Sequence, residues 1–207
     1  MLDVHPFFAS CPALYPGSCI LSLDLFLASA PGLIYNNRNE ASMNMPVGMH
    51  PERPMQRRFL ADAMLGSLAK WLRALGYDTY YQNHYEKGGI ERLLSKGRLL
   101  LSRNRKTVAL HPCSVLIRSE RLTDQILEMR SAGLIQMTQG WFTRCLICNV
   151  LLEKADPLDS RQNVPEYVFH EKADGISRCP SCGRYFWPGT HRERMIKQLR
   201  EWGFHNP

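Results

Sequence analysis

Two C-x-x-C pairs, Cys145-Leu-Ile-Cys148 and Cys179-Pro-Ser-Cys182, constrain this chain more than any other feature. Each pair brings two thiolates to one face of a tight turn, and two such turns complete a tetrahedral sulfur shell suited to zinc. Four sulfur ligands leave no open position for water, so the zinc is structural. The competing reading of a C-x-x-C is a redox dithiol, but redox motifs come singly at the start of a helix. Gly183 permits the left-handed backbone that such a knuckle needs. The 30 residues between the pairs exceed the common spacing, so residues 149–178 loop out and return. Pro157, Pro165 and the polar run between them suit that loop. The chain holds seven cysteines, an odd number. Metal therefore comes before disulfide, as expected for a cytoplasmic protein. Cys11, Cys19 and Cys113 carry no partner pattern and read as ordinary thiols.

After the second knuckle, Thr190 and Glu193 have the spacing of a capping box for a helix running to about Trp202. Met195, Ile196, Leu199 and Trp202 form its apolar face, with Arg194, Lys197 and Arg200 on the far side. Those three cations are either a solvated face or phosphate contacts. His191 reads as a hydrogen-bonded structural histidine rather than a catalytic one.

Charge is unevenly placed. Residues 1–56 hold two basic and four acidic side chains, whereas residues 57–207 hold 24 Lys and Arg against 15 Asp and Glu. The basic remainder favours a polyanionic partner such as RNA. The segment 1–56 shows no sustained period and reads as a disordered tail or a start set too far upstream. Its one apolar run, residues 19–30, is broken by Asp24 and is too short to span a bilayer. Ala28-Ser29-Ala30 resembles a signal cleavage site, but no Lys or Arg precedes the run. No membrane partner is expected.

From residue 57 strands and helices alternate. Phe59-Leu60-Ala61 is a short apolar run ending in Asp62, followed by Leu65, Leu68, Leu72 and Leu75 on one helical stripe. Lys70 and Arg73 fall off that stripe, and Gly76 stops the helix. Thr79-Tyr80-Tyr81, Leu99-Leu100-Leu101 and Val115-Leu116-Ile117 read as further strands. Ile90, Leu93 and Leu94 mark a short helix between two of them, and Leu122, Ile126, Leu127 and Met129 a last one. This alternation predicts an α/β fold with a parallel sheet flanked by helices over residues 57–140, and a zinc ribbon with a C-terminal helix over 141–207.

Ligand sites in open parallel sheets lie beyond the carboxyl ends of the strands. That rule gathers Asp62, then Gln82, Asn83, His84 and Glu86, then Ser102, Arg103, Asn104 and Arg105 on one edge. Asp78 precedes its strand and belongs at the opposite edge as a turn residue. Two or more carboxylates on the first edge could hold Mg or Mn, an ion that activates water for attack on a phosphate. The competing role for Asp62 is to cap the helix that follows.

Five blocks carry a family resemblance. They are Phe59-Leu-Ala-Asp-Ala-Met-Leu-Gly66, Leu68-Ala-Lys-Trp-Leu-Arg-Ala-Leu-Gly-Tyr-Asp78, Arg98-Leu-Leu-Leu-Ser-Arg-Asn104, Arg144-Cys-Leu-Ile-Cys-Asn149 and Tyr185-Phe-Trp-Pro-Gly-Thr-His191. In this order the chain resembles the Mut-seven C-terminal ribonuclease domain, a PIN-like fold fused to a zinc ribbon, over residues 57–203. The resemblance implies metal-dependent cleavage of RNA by a set of carboxylates. Asp62 matches the family's first-strand acid, and Glu86 and Glu91 are the acids available after the second strand. Where the family has Thr-Arg-Asp at the third strand, this chain has Ser102-Arg103-Asn104. The Asn keeps a carbonyl ligand and removes one negative charge, which weakens divalent-metal binding. Arg103, Arg105 and Lys106 would meet phosphates at the same edge, and Arg194, Lys197 and Arg200 would extend the RNA surface. A catalytically impaired RNA-binding protein and a zinc-ribbon protein interaction module are the alternatives.

Overall fold

The computed structural model describes residues 57–136 and 140–205; the expectations for residues 1–56 lie outside them. The described residues belong to one compact unit. Its first layer is a four-stranded, all-parallel sheet of β1 (Phe59–Ala61), β2 (Thr79–Tyr81), β3 (Leu99–Ser102) and β4 (Ser114–Leu116), in the order β2-β1-β3-β4. β1 and β3 are the central strands. Phe59, Leu60, Ala61, Leu100 and Leu101 are fully buried, as unbroken apolar runs covered on both faces should be. The parallel sheet and its flanking helices agree with the sequence reading, with β4 displaced by one residue.

α1 (Gly66–Ala74) follows β1 through a 3-10 turn at Ala63–Leu65. Leu65, Leu68, Leu72 and Leu75 are all buried, the stripe expected from their spacing. Gly76 ends the helix at φ +93°, in the left-handed region that glycine enters without penalty. α2 (Gly89–Leu94), α3 (Arg105–Leu110) and α4 (Leu122–Ser131) complete the alternation. The sequence pattern carries no sign of α3. None of its residues is buried, so it leaves no apolar stripe, and a cap at Asn104 starts it instead.

The strand order fixes where a ligand can lie. β1 leads through α1 to β2 on one side, while β3 leads through α3 to β4 on the other. The topological switch point therefore falls between the carboxyl ends of β1 and β3, where a crevice opens in folds of this kind.

Beyond residue 140 a small antiparallel sheet forms from β5 (Glu153–Lys154), β6 (Ser177–Arg178) and β7 (Tyr185–Phe186), in that order. The 30 residues between the knuckles do not merely loop out. They fold into α5 (Pro157–Asn163) and α6 (Glu166–Lys172) over a minor core of Ala155, Val164, Val168 and Ile176. Asp156 caps α5 by accepting from Leu158 N at 2.8 Å and Asp159 N at 3.1 Å, with Pro157 in the first turn. Proline belongs there, because the first helical N–H has no intrahelical partner.

α7 (Thr190–Glu201) closes the chain. The expected capping box is absent. Gly189 is the N-cap, Thr190 is already helical, and no side chain caps the first turn. The expected apolar face does form: Met195, Leu199 and Trp202 are buried, while Arg194, Lys197 and Arg200 are exposed. Leu199, Trp202 and Phe204 join the same core as Phe59, Leu68 and Ile126, and Trp202 meets Trp71 edge-on at 4.6 Å between ring centroids. The C-terminal helix is thus part of the α/β core. Cys113 is disulfide-bonded, which corrects its reading as an ordinary thiol; pairing is decided by the folded chain and leaves no trace in spacing.

Candidate metal centre and sheet-edge site

The four knuckle cysteines converge. The sulfurs of Cys145, Cys148, Cys179 and Cys182 lie within 4.8 Å of one another, and those of Cys145 and Cys182 are 3.9 Å apart. Zinc with Zn–S bonds near 2.3 Å requires tetrahedral sulfurs about 3.8 Å apart, so the quartet fits that ion. The two knuckles are alike in backbone. Asn149 N bonds Cys145 O and Gly183 N bonds Cys179 O, both at 2.9 Å, and the donor residues have φ of +66° and +71°. Gly183 was expected in this role; Asn149, one of the few residues besides glycine that tolerate it, was not.

Burial pushes the Cys145 thiol up to about 12. The amide of Arg184 draws Cys182 down to about 7. A bound cation deprotonates the whole set. Arg73, read from sequence as merely off the stripe, is buried and braces the first knuckle. It donates to Leu146 O at 3.0 Å and Ile147 O at 2.8 Å, the two carbonyls inside the C-x-x-C, and to Thr79 O at 2.9 Å. Its charge lies beside thiolates that would otherwise be uncompensated, the usual task of groups just outside a metal's ligands.

Asp78 also exceeds the turn role given to it. It lies at the opposite edge, as expected, and accepts from Arg98 at 2.7 and 3.1 Å and from Asn149 Nδ2 at 2.6 Å. Asn149 Oδ1 in turn accepts from Thr79 N at 2.8 Å. Burial alone would raise the Asp78 carboxyl, but the hydrogen bonds from Arg98 and Asn149 and the nearby guanidinium charges hold it below the usual range. The amino-end rim of the sheet is thus where the first knuckle is fastened.

At the carboxyl-end rim, Asp62 stands at the switch point. Its Oδ1 accepts from Ala63 N at 2.6 Å and its Oδ2 from Ser102 Oγ at 2.5 Å. Ser102, fully buried at the end of β3, also accepts from Asn104 N at 3.0 Å. Capping of the 3-10 turn and fixation by the neighbouring strand therefore coexist, and each carboxylate oxygen keeps a lone pair. Tyr85 closes one side. It accepts from Gln82 N at 3.0 Å, donates to Ala61 O at 2.6 Å, and its phenol is pushed up to about 12 by burial, with the Asp62 charge adding to it. A tyrosine within a polar segment gave no signal of this position.

The remaining acids are placed otherwise. Glu86 is exposed and meets Arg92 at 3.9 Å, and Glu91 is exposed in the first turn of α2. Among the described residues the cysteine quartet is the sole group of three or more His, Cys, Asp or Glu with ligand atoms within 4.8 Å of one another. Asn104 spends its side-chain oxygen on α3, accepting from Lys106 N at 2.9 Å and Thr107 N at 3.4 Å. Arg103 pairs with Glu120 at 2.9 Å, and Arg105 and Lys106 are exposed in the first turn of α3, the helix that Asn104 caps beside Ser102. Arg194, Lys197 and Arg200 stand on α7 instead. The His191 side chain is exposed and makes no hydrogen bond to a described residue, which corrects its reading as a bonded structural histidine. No helix among the described residues is long and apolar enough to cross a membrane.

No curated protein and no solved structure matches the chain significantly. The Mut7-C RNAse domain model matches residues 57–199, which takes in the sheet, both knuckles and most of α7. With more than two thirds of its length so matched, the chain belongs to the Mut7-C RNAse domain family.

Proposed function

We propose that this chain is a metal-dependent ribonuclease acting at the switch point of its parallel sheet. One observation carries the reading: Asp62 is held at the carboxyl end of β1 by Ala63 N and by Ser102 Oγ from the adjacent strand. A carboxylate fixed in this way needs no reorganisation to meet a cation, which is the condition for electrostatic preorganisation. Glu86, held only by its contact to Arg92, and Glu91 are exposed in the segment after β2 and are the acids that would have to swing in to join it. Asp62 with Glu86 and Glu91 would hold a magnesium or manganese ion, which would supply an activated water and offset the charge that builds on the phosphate.

The chain's own residues do the rest. Arg105 and Lys106 supply positive charge for the backbone flanking the scissile phosphate. Ser102 keeps Asp62 oriented, and Tyr85 walls the site without competing as an acid. Residues 57–140 carry the hydrolytic edge, and residues 141–207 carry the ribbon, its structural zinc and α7, sharing one core. The substrate in this reading is RNA.

A second reading is favoured by the Asn104 cap. With its side-chain oxygen committed to α3 and one negative charge fewer than an aspartate would bring, the same scaffold would bind RNA and cleave it poorly. One assay separates the two. Purified, zinc-loaded protein with labelled RNA and manganese should cleave, and Asp62→Asn should reduce cleavage by at least 100-fold, on the order of a lost metal ligand. Cleavage unchanged by Asp62→Asn overturns the site; RNA binding without cleavage in the native chain favours the second reading.

A further inference from the structure

A cleft of about 450 Å³ lies against the ribbon, between α6 and the segment that runs from β7 into α7. That volume is within the range of pockets that take small organic ligands. Its lining is aromatic and cationic together: Phe142, Tyr167, Tyr185 and Trp187, with Lys172 and Arg192. We infer that this cleft seats an unpaired base of single-stranded RNA, with the adjoining phosphate against Lys172 and Arg192.

Four features of the wall support this occupant. Tyr167 is 64% exposed, a large ring left in solvent at the cleft where folding gains little from it. The Arg192 guanidinium lies 5.0 Å from the centroid of the Phe142 ring, an arrangement that presents a flat cation. The Nε of Arg192 is buried and has no hydrogen-bond partner among the described residues, an unusual state for such a group. Phe142 itself sits at φ +58°, a conformation that costs energy for a bulky residue and is retained mostly where function requires it.

The cleft also borders the first turn of α7, which no side chain caps, so its amide N–H groups add positive potential to that of the two cations. Aromatic faces set in a basic groove are the physical basis of single-strand binding, because every base offers a flat ring to stack. A duplex keeps its bases stacked inward and cannot use such a cleft. Glu171 and Glu193 at its edge accept from the ring and exocyclic N–H groups of a base. This inference rests on the reading that the chain handles RNA, and it does not require hydrolysis.

The test uses full-length, zinc-loaded protein carrying Asp62→Asn, so that the probe survives. A short fluorescein-labelled single-stranded RNA is titrated by anisotropy, with the same sequence as a duplex for comparison. Tyr167→Ala should weaken single-strand binding about tenfold, the scale of one lost stacking contact, and leave the salt dependence unchanged. Arg192→Gln should weaken binding and lower the slope of log affinity against log salt by about one. Duplex binding should not change in Tyr167→Ala. Zinc content and far-UV circular dichroism confirm that both variants are folded; Tyr167 is too exposed for its removal to unfold the ribbon. Single-strand affinity unchanged in both folded variants overturns the cleft proposal alone. Failure of the parent protein to bind any RNA at low salt overturns it together with the ribonuclease reading.

Discussion

Asp78→Asn tests how firmly the zinc knuckle is tied to the α/β layer. The substitution preserves shape but replaces one acceptor oxygen by an amide donor. In either orientation that donor faces Arg98, which bonds one carboxylate oxygen at 2.7 Å and the other at 3.1 Å, and at Oδ1 it also faces Asn149 Nδ2, bonded at 2.6 Å. Arg98 has a side-chain exposure of 13% and Asp78 of 21%, so the pair is shielded rather than solvated. Removing one partner of a buried pair costs about 3–5 kcal/mol, because the other charge is left uncompensated. Arg98 keeps its bond to Phe59 O at 3.0 Å, and the variant keeps one acceptor, so a loss of about 2–4 kcal/mol is expected. For a chain of this size that lowers Tm by roughly 5–15 °C.

The pH dependence follows from the depressed carboxyl. A group whose folded pKa lies below its unfolded value stabilises the protein above the unfolded value, here 3.8, and loses that contribution as pH falls through the folded value. The stability gap between native and Asp78→Asn protein should therefore be flat from neutral pH down to about 5 and shrink only in the acid range. Urea denaturation monitored by tryptophan fluorescence measures the gap. A dye-based zinc-release assay should show earlier release from the variant. A gap below about 0.5 kcal/mol, the scatter of ordinary surface substitutions, would refute the anchoring argument. So would a gap that closes near pH 6.

Other outcomes follow from the same geometry. Gly76→Ala forces a Cβ to within 2.5 Å of Gly140 O at φ +93°; thermal denaturation should show a loss above about 1 kcal/mol, since both clash and backbone strain oppose it. Asn104→Asp keeps the cap on α3, because aspartate caps as well as asparagine, and restores one negative charge at the rim; it should leave Tm nearly unchanged and raise manganese-dependent cleavage. Zinc affinity should fall as pH drops, because burial holds the proton on the Cys145 thiol, pushed up to about 12. It should fall more steeply below about 7, where Cys182, drawn down to about 7, also takes up a proton that the metal must displace; competition with a chelator across that range measures it. Chelation should also expose the ribbon to protease before the parallel sheet.

What the sequence determined is what depends on neighbours along the chain. Strands such as Phe59–Ala61 and Leu99–Ser102 announce themselves as apolar runs, and α1 by leucines at helical spacing. The two knuckles follow from cysteines three apart, and the carboxyl-end rule alone sent Asp62 and Ser102 to one edge. Even α5 has a local signal, since Asp156-Pro157 is a cap followed by proline in the first turn, though the same prolines suit a loop equally well. The capping box failed for the opposite reason. Thr190 and Glu193 have the right spacing, but the backbone at Gly189 enters the helix one residue earlier.

The remainder comes from contacts between distant segments. Ser102 reaches Asp62 across 40 residues of chain, and Asn149 reaches Asp78 across 71. The burial of Arg73 depends on knuckle carbonyls more than 70 positions away. A hydrogen bond between distant segments is set by how layers pack, and packing answers to the sum of apolar burial rather than to any local pattern. The same sum draws Leu199, Trp202 and Phe204 into the core of the α/β layer, so that ribbon and sheet, separable along the chain, are joined by the surface they remove from water together.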